Sequence, residues 1–495
     1  MEPKLINLPT CTPEAVGIPS AAIERYIRGL CDRQLVMHDV LILRHGKLCF
    51  ESYWKPFDAS YRHRLYSCSK SIVSVAVGIL IERGLLSLED KVLQFFPNEA
   101  PVDPHPWLAE MTIRDLLRMA TCFEEGTNYD ANDPDWIKTF FTGEITHKAG
   151  QIFRYCTTGT TMLCVIIRRV SGEEFMSVLR PVFNKLGISE DAFCVETPCG
   201  YEWGGSGVCL TAREFAFFAD LCTHYGEYCG EQLLPRDYMI EATSKQIDSS
   251  WDSGAGYGYQ FWILQRGFAM RGMGGQFAIC LPELDITLIT NAYDDRNYDK
   301  FLESIFPLFF SEIVPALCDH ALPEDEKAIQ SLVTLTSNLR LPMPPGIPHV
   351  SMEQQIDGET YVMETNPLGI LWLRFTFTGD GGTLHYENAT GVHTLKFGYY
   401  DYIQQPFPET HYSGRRIGTP CGYGYDSLTA AAWTMPNTLR LYCQIIDIYH
   451  GNLRIQFAFE GDAVTLLAEK NAEWFLEEYK GFANGRLLKG GSYDL

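Results

Sequence analysis

Ser67 and Lys70 stand three residues apart in the stretch Arg64-Leu65-Tyr66-Ser67-Cys68-Ser69-Lys70-Ser71, and an apolar run, 72–81, follows directly. On a helix, residues three apart share a face, so this S-x-x-K spacing puts an amine beside a hydroxyl. The run behind it reads as a buried helix ending at Gly84, which places both groups at a helix N-terminus that favours negative charge. An amine held there can activate a serine nucleophile. The same four letters also fit an N-capping serine with a lysine in the first turn. Cys68, between the two, reads as a small core-facing side chain.

Two further stretches have residue types suited to the same chemistry. In Gly150-Gln151-Ile152-Phe153-Arg154-Tyr155-Cys156-Thr157 a tyrosine sits where a turn meets a helical run, 161–167. A tyrosine there can face a pocket, or pack with its hydroxyl on a carbonyl. Met270-Arg271-Gly272-Met273-Gly274-Gly275-Gln276 lies between apolar strands, and glycines at that density let a ligand or another backbone approach closely.

The elements around these stretches follow in order. Ser20 is expected to cap a helix over 21–31, and 38–54 reads as a hairpin turning at Arg44-His45-Gly46-Lys47. A short helix is expected at 86–92, and Thr112 with Asp115 forms a capping pair for the next one. The acidic stretch 122–135 reads as a solvated loop, its Glu124-Glu125 pair included. Turns are expected over 181–188 and 200–211, and antiparallel strands over 256–262, 267–281 and 286–289. A helix over 324–338 and the proline-rich 341–348 then lead into short alternating segments with glycine turns, an all-β pattern.

Composition narrows the function classes. The 495 residues carry 40 basic and 62 acidic side chains, net −22, which argues against nucleic acid or an anionic membrane as partner. The first residues lack the charge and apolar pattern of a signal peptide, and no run reaches the roughly 20 apolar residues of a membrane span. The 16 cysteines are scattered and the 12 histidines dispersed. Reduced thiols in a cytoplasmic protein, no metal and no cofactor are the expectations.

Taken together and in this order, Ser67-x-x-Lys70, Tyr155-Cys156-Thr157 and the strand around Gly272 resemble the three active-site motifs of the serine β-lactamase and penicillin-binding-protein superfamily. The likeness is to its class C-like esterase and amidase branch. The 38–54 hairpin, Leu116-Leu117-Arg118-Met119 and Gly274-Gly275-Gln276 extend it over roughly residues 10–310. The resemblance implies an α+β fold, an antiparallel sheet flanked by helices with an all-helical subdomain, followed by a C-terminal all-β barrel or sandwich. The expected units are 1–320, a helical and proline-rich linker 321–349, and 350–495.

It also implies roles. Ser67 would form an acyl-enzyme while Lys70 and Tyr155 move protons, and the backbone N–H groups of Ser67 and Met273 would form the oxyanion hole. Thr157, Gly272, Gly274 and Gly275 would border the substrate. Two positions depart from the pattern: Thr157 replaces a common Asn, and Met270-Arg271-Gly272 replaces Lys-Thr-Gly. Loss of that lysine argues against antibiotic hydrolysis and peptidoglycan transpeptidation. The leading expectation is a hydrolase acting on an ester or amide of a small molecule. A D-aminopeptidase or lactam and oligoamide hydrolase is the alternative, and an acylatable sensor or binding module that does not turn over is the alternative of another class. The sequence leaves a homo-oligomer open.

Overall fold

The computed structural model describes residues 9–124, 133–249, 255–293, 298–410, 414–418, 422–449, 451–472 and 479–488. Two compact units are present: residues 1–341 with 415–418, and residues 342–414 with 419–495.

In the first unit, helix α1 (Ser20–Asp32) precedes the hairpin of β1 (Met37–Arg44) and β2 (Lys47–Tyr53). Strands β3 (Gly256–Tyr257), β4 (Trp262–Ile263), β5 (Phe268–Gly272), β6 (Gln276–Leu281) and β7 (Ile286–Ala292) complete a seven-stranded antiparallel sheet, ordered β2-β1-β7-β6-β5-β4-β3. Every residue of β1, β5, β6 and β7 is buried. Covered on both faces, these strands do not alternate between buried and exposed positions, although buried polar residues such as Asp39, Arg271 and Asn291 interrupt their apolar runs.

Helix α2 (Cys68–Glu82) packs between this sheet and a helical layer that includes α3 (Ile113–Leu117), α4 (Thr157–Ser171) and α5 (Phe175–Leu186), while α6 (Ala212–Thr223) lies directly on the sheet against β1, β6 and β7. Its Ile72, Val73, Val75, Val77 and Ile79 are β-branched and disfavour helix locally, but residues 68–80 are all buried. Tertiary burial outweighs propensity, as it does for any helix that is apolar all round. Gly78 is needed there: a Cβ would stand 2.4 Å from the Tyr238 ring.

Thr112 and Asp115 form the expected capping box of α3. Three local expectations differ. Pro19, not Ser20, precedes the first helix, and Ser20 lies inside it with its N–H on the Glu14 carboxylate at 2.8 Å. Residues 86–91 form no helix, because Lys91 is drawn into a bridge with Thr112; a 3-10 turn, Val92–Phe95, follows. The 181–188 turn is mostly helix: α5 runs through Pro181 because Val178, Leu179, Val182, Phe183 and Leu186 bury one face. Most of the 122–135 loop, Glu125 included, lies outside the described residues.

The second unit is a barrel. Nine strands, from Thr360–Met363 to Gly481–Leu487, form an antiparallel run that closes where Gly398 meets Ala430 in parallel. Ile403–Pro406 adds a tenth strand on Asp426–Met435. Closure removes the exposed edges an open sheet would present. No helix among the described residues is long and apolar enough to cross a membrane.

Candidate active site

Ser67 occupies the N-cap position of α2, and its hydroxyl makes no capping bond. Tyr66, just before it, has φ of +48°, a left-handed conformation that costs a non-glycine residue about 1–3 kcal/mol. Tertiary contacts hold it. The Arg64 guanidinium, fully buried, lies 4.4 Å from the Tyr66 ring centroid and 4.8 Å from that of Trp203. Arg64 also donates to the Ser206 carbonyl at 2.8 Å and the Ser206 hydroxyl at 2.9 Å. One buried cation thus braces the serine turn against the 203–206 turn.

Lys70, 1% exposed, donates from Nζ to Ser67 Oγ at 3.0 Å and to the Gly205 carbonyl at 2.5 Å. Burial pushes its pKa down to about 7, and the Arg64 charge adds to this; the nearby Cys156 and Cys68 thiols pull the other way. A large fraction of the amine is therefore neutral near pH 7 and able to take a proton from Ser67. Burial pushes the Cys68 thiol far up, and its Sγ is spent on the Gln276 carbonyl at 3.1 Å. That fits the core-facing reading of Cys68 and not a nucleophile.

The second stretch is held by the end of α3. Met119, at φ +57°, accepts the Arg154 N–H on its carbonyl at 2.7 Å and the Cys156 N–H on its sulfur at 3.1 Å. This delivers Tyr155 to the lysine: Nζ of Lys70 lies 5.0 Å from the Tyr155 ring centroid. Trp262 also stacks on the Tyr155 ring, with centroids 5.9 Å apart and planes at 19°. Cys156 caps α4 through its sulfur, and Thr157 begins that helix. Thr157 also abuts Gly205, where a Cβ would come within 2.8 Å of its methyl carbon.

In the third stretch Met270 is fully buried in β5. Arg271 is buried against the Trp262 and Phe306 rings, 4.9 and 5.1 Å away. Gly272 serves close approach between backbones, since a Cβ would meet the Leu65 carbonyl at 2.2 Å. Gly274 and Gly275, at φ +81° and +98°, form the turn into β6. Met273, beside them, is 43% exposed.

Ser67, Lys70, Tyr155, Thr157 and Gly272 therefore converge around the N-terminus of α2. Arg64, Gly205 and Gln260 were not singled out from sequence. Gln260, at φ +65° and buried, accepts on its carbonyl from Ser71 at 2.6 Å and on its side chain from Thr160 at 2.7 Å, and donates to the Leu116 and Leu117 carbonyls. It ties α2, α3 and α4 together. A polar residue inside the aromatic run Tyr257-Gly258-Tyr259-Gln260-Phe261-Trp262 was the one available signal. A groove of about 1300 Å³ bordered by Arg28, Trp54, Lys327, Gln330 and Arg340 shares no residue with this constellation. Among the described residues no cluster of three or more His, Cys, Asp or Glu side chains could hold a metal.

A family model described as Beta-lactamase matches residues 15–297. A 6-aminohexanoate-dimer hydrolase of Paenarthrobacter ureafaciens is 27% identical over 198 residues, 36% of this chain and 49% of its own length. The chain thus spans about half the length of that curated relative. Among solved structures, the octameric penicillin-binding protein homologue of Pyrococcus abyssi matches with a TM-score of 0.48 at 14% identity, over 94% of this chain and 99% of that one. A penicillin-binding protein homologue of Caulobacter crescentus matches with a TM-score of 0.48 at 15% identity, over 60% and 98%.

Proposed function

The chain belongs to the beta-lactamase family, and from that premise we propose that it is a serine hydrolase cleaving an ester or amide of a small molecule. The observation that carries this is the buried Lys70 amine, 3.0 Å from Ser67 Oγ and with a pKa brought down to about 7.

In this reading neutral Lys70 takes the Ser67 proton as Oγ attacks the substrate carbonyl. The backbone N–H groups of Ser67 and Met273 receive the oxyanion. The proton then passes to the leaving group through Tyr155, whose ring lies against the Lys70 amine, and the carbonyl–leaving-group bond breaks. Water enters by the reverse relay, attacks the acyl-enzyme and releases the acid. Thr157 and the 272–275 turn border the substrate. Burial of Met270 supports an acyl group without a carboxylate at that point, and a family activity other than antibiotic hydrolysis.

Amide hydrolysis of a short linear substrate is the second reading, favoured by the relative named a 6-aminohexanoate-dimer hydrolase.

The test is labelling by a fluorophosphonate probe in wild type and Ser67→Ala, with hydrolysis of 4-nitrophenyl acetate, 4-nitrophenyl butyrate and the linear 6-aminohexanoate dimer in parallel. Labelling and turnover that both vanish in the variant are the expected result. Labelling without turnover on any of the three would favour the acylatable sensor. Neither signal in folded wild type would remove the assignment.

A further inference from the structure

The third stretch ends in Gly274-Gly275-Gln276, and the catalytic reading uses only the glycines. Gln276 pairs with Gly272 across the turn from β5 to β6, so residues 273–275 form a three-residue loop. A peptide flanked by a positive-φ glycine flips at low cost, because glycine accepts either sign of φ. In the 273–274 peptide such a flip would swing the Met273 carbonyl round and reverse the local dipole. That is a hazard in a loop expected to stabilise negative charge.

The Gln276 side chain, fully buried, stands against this flip. Its Nε2 donates to the Met273 carbonyl and to the Ala292 carbonyl, each at 2.8 Å, and its Oε1 accepts from the Ala292 N–H at 3.2 Å. Thr290 makes the matching bond next door, donating from Oγ1 to the Gly275 carbonyl at 2.9 Å. Two of the loop's three carbonyls, those of Met273 and Gly275, are thereby committed to side-chain donors. The turn is also pressed on the serine loop, through the Gly272 contact with Leu65 and the Cys68 bond to the Gln276 carbonyl. Leu65 and Cys68 bracket Ser67.

Only a carboxamide serves all three backbone groups at once. A carboxylate would face two carbonyls, and an apolar side chain would leave buried polar groups without partners. We propose that Gln276 is a positioning residue for the oxyanion hole: it holds the Met273 carbonyl on the Ala292 side and so keeps the peptide that follows the Met273 N–H from turning its carbonyl toward the charge that develops at Ser67. This rests on reading Ser67 as the nucleophile and Met273 as the second donor.

The experiment compares Gln276→Met and Thr290→Val with wild type. It measures kcat and KM for 4-nitrophenyl butyrate, the inhibition constant of phenylboronic acid, and Tm. Boronate is a suitable probe because its boron takes Ser67 Oγ as a fourth ligand and becomes a tetrahedral anion. In Gln276→Met, kcat should fall about 30- to 100-fold with KM within about twofold, and boronate should weaken by a similar factor. Thr290→Val should lose about three- to tenfold in the same two quantities.

Wild-type kcat and boronate affinity in folded Gln276→Met would overturn the proposal, as would a loss confined to KM. If that variant does not fold, Thr290→Val decides by the same criteria. Fluorophosphonate labelling separates the two levels. Wild type labelled at Ser67 with kcat indifferent to Gln276 sinks only this inference, whereas unlabelled wild type removes the underlying reading and this inference with it.

Discussion

Each unit buries an ionisable group, and the two are treated in opposite ways. In the first, Lys70 divides its bonds between a backbone carbonyl and the hydroxyl of Ser67, a half-buried residue. In the barrel, Glu409, 5% exposed, accepts from the Tyr386 hydroxyl at 2.6 Å, from the Tyr479 hydroxyl, and from the Asn388 amide at 2.9 Å. The barrel interior beside it leaves a cavity of about 10 Å³ lined by side chains such as Leu373, Leu453, Phe457 and Tyr386. That is room for about one water. Burial and the Glu409 charge both push the Tyr386 phenol up, so it stays a donor. A buried charge taken up by donors with no reaction to perform, here two buried hydroxyls and the half-buried Asn388 amide, holds a structure together. One whose partner is a half-buried hydroxyl suited to act as a nucleophile is available for chemistry.

The comparison breaks most sharply on the Lys70 side. Lys70→Met and Ser67→Ala should each lower kcat on 4-nitrophenyl butyrate by about 10⁴-fold or more with Tm nearly kept. A Lys70→Met enzyme within tenfold of wild type would place Lys70 with Glu409, as structure only.

The reverse result is expected in the barrel. Glu409→Leu leaves two hydroxyls and an amide without their acceptor and should cost about 2–4 kcal/mol in denaturant unfolding. Turnover at 25 °C should stay within twofold. A loss of turnover in folded Glu409→Leu would erase the distinction.

A pH profile sharpens it further. If neutral Lys70 is the base, kcat/KM should rise with pH and level off above about 7, the value burial gives the amine. Below that, activity should fall about tenfold per unit. An acid limb placed near pH 10 would mean an amine with an ordinary pKa.

The smallest effect belongs to a surface pair in the first unit. His224 Nε2 lies 2.7 Å from Asp285, and His45 bonds the other oxygen of the same carboxylate. The Asp285 bond raises His224 to about 9 against the opposition of burial. Burial alone would raise Asp285, but bonds from His224 and His45 outweigh it and bring it down to about 2. The raised histidine contributes stability that is complete below its unfolded pKa of about 6.5 and is lost as pH climbs through about 9. The depressed aspartate contributes above about pH 4 and loses it as pH falls through about 2. His224→Gln should therefore lower Tm most between about pH 4 and 6.5, with the gap closing by about pH 10. A gap that is flat across this range would show that the pair does not form.

Much of this was legible in the chain. S-x-x-K fixes its own geometry once a helix forms, because the three-residue spacing is a property of the helix. The Thr112–Asp115 capping box and the paired apolar runs of the sheet are likewise local patterns. One failure is instructive. Pro181 signals a break, yet five buried apolar side chains keep its helix intact. The glycines of the third stretch admit either a ligand or another backbone, and at Gly272 it is the Leu65 carbonyl that approaches.

By itself, then, the sequence determined which residues could react and which faces of their elements they share. The tertiary structure decided what those residues became. The second acceptor for Lys70 is a carbonyl 135 residues away, Arg64 reaches Ser206 across 142, and Gln276 reaches Ala292 across 16. No periodicity encodes which distant carbonyl an amine will meet. Nor does it encode how far that amine will be desolvated, and desolvation is what brings the Lys70 pKa down to about 7.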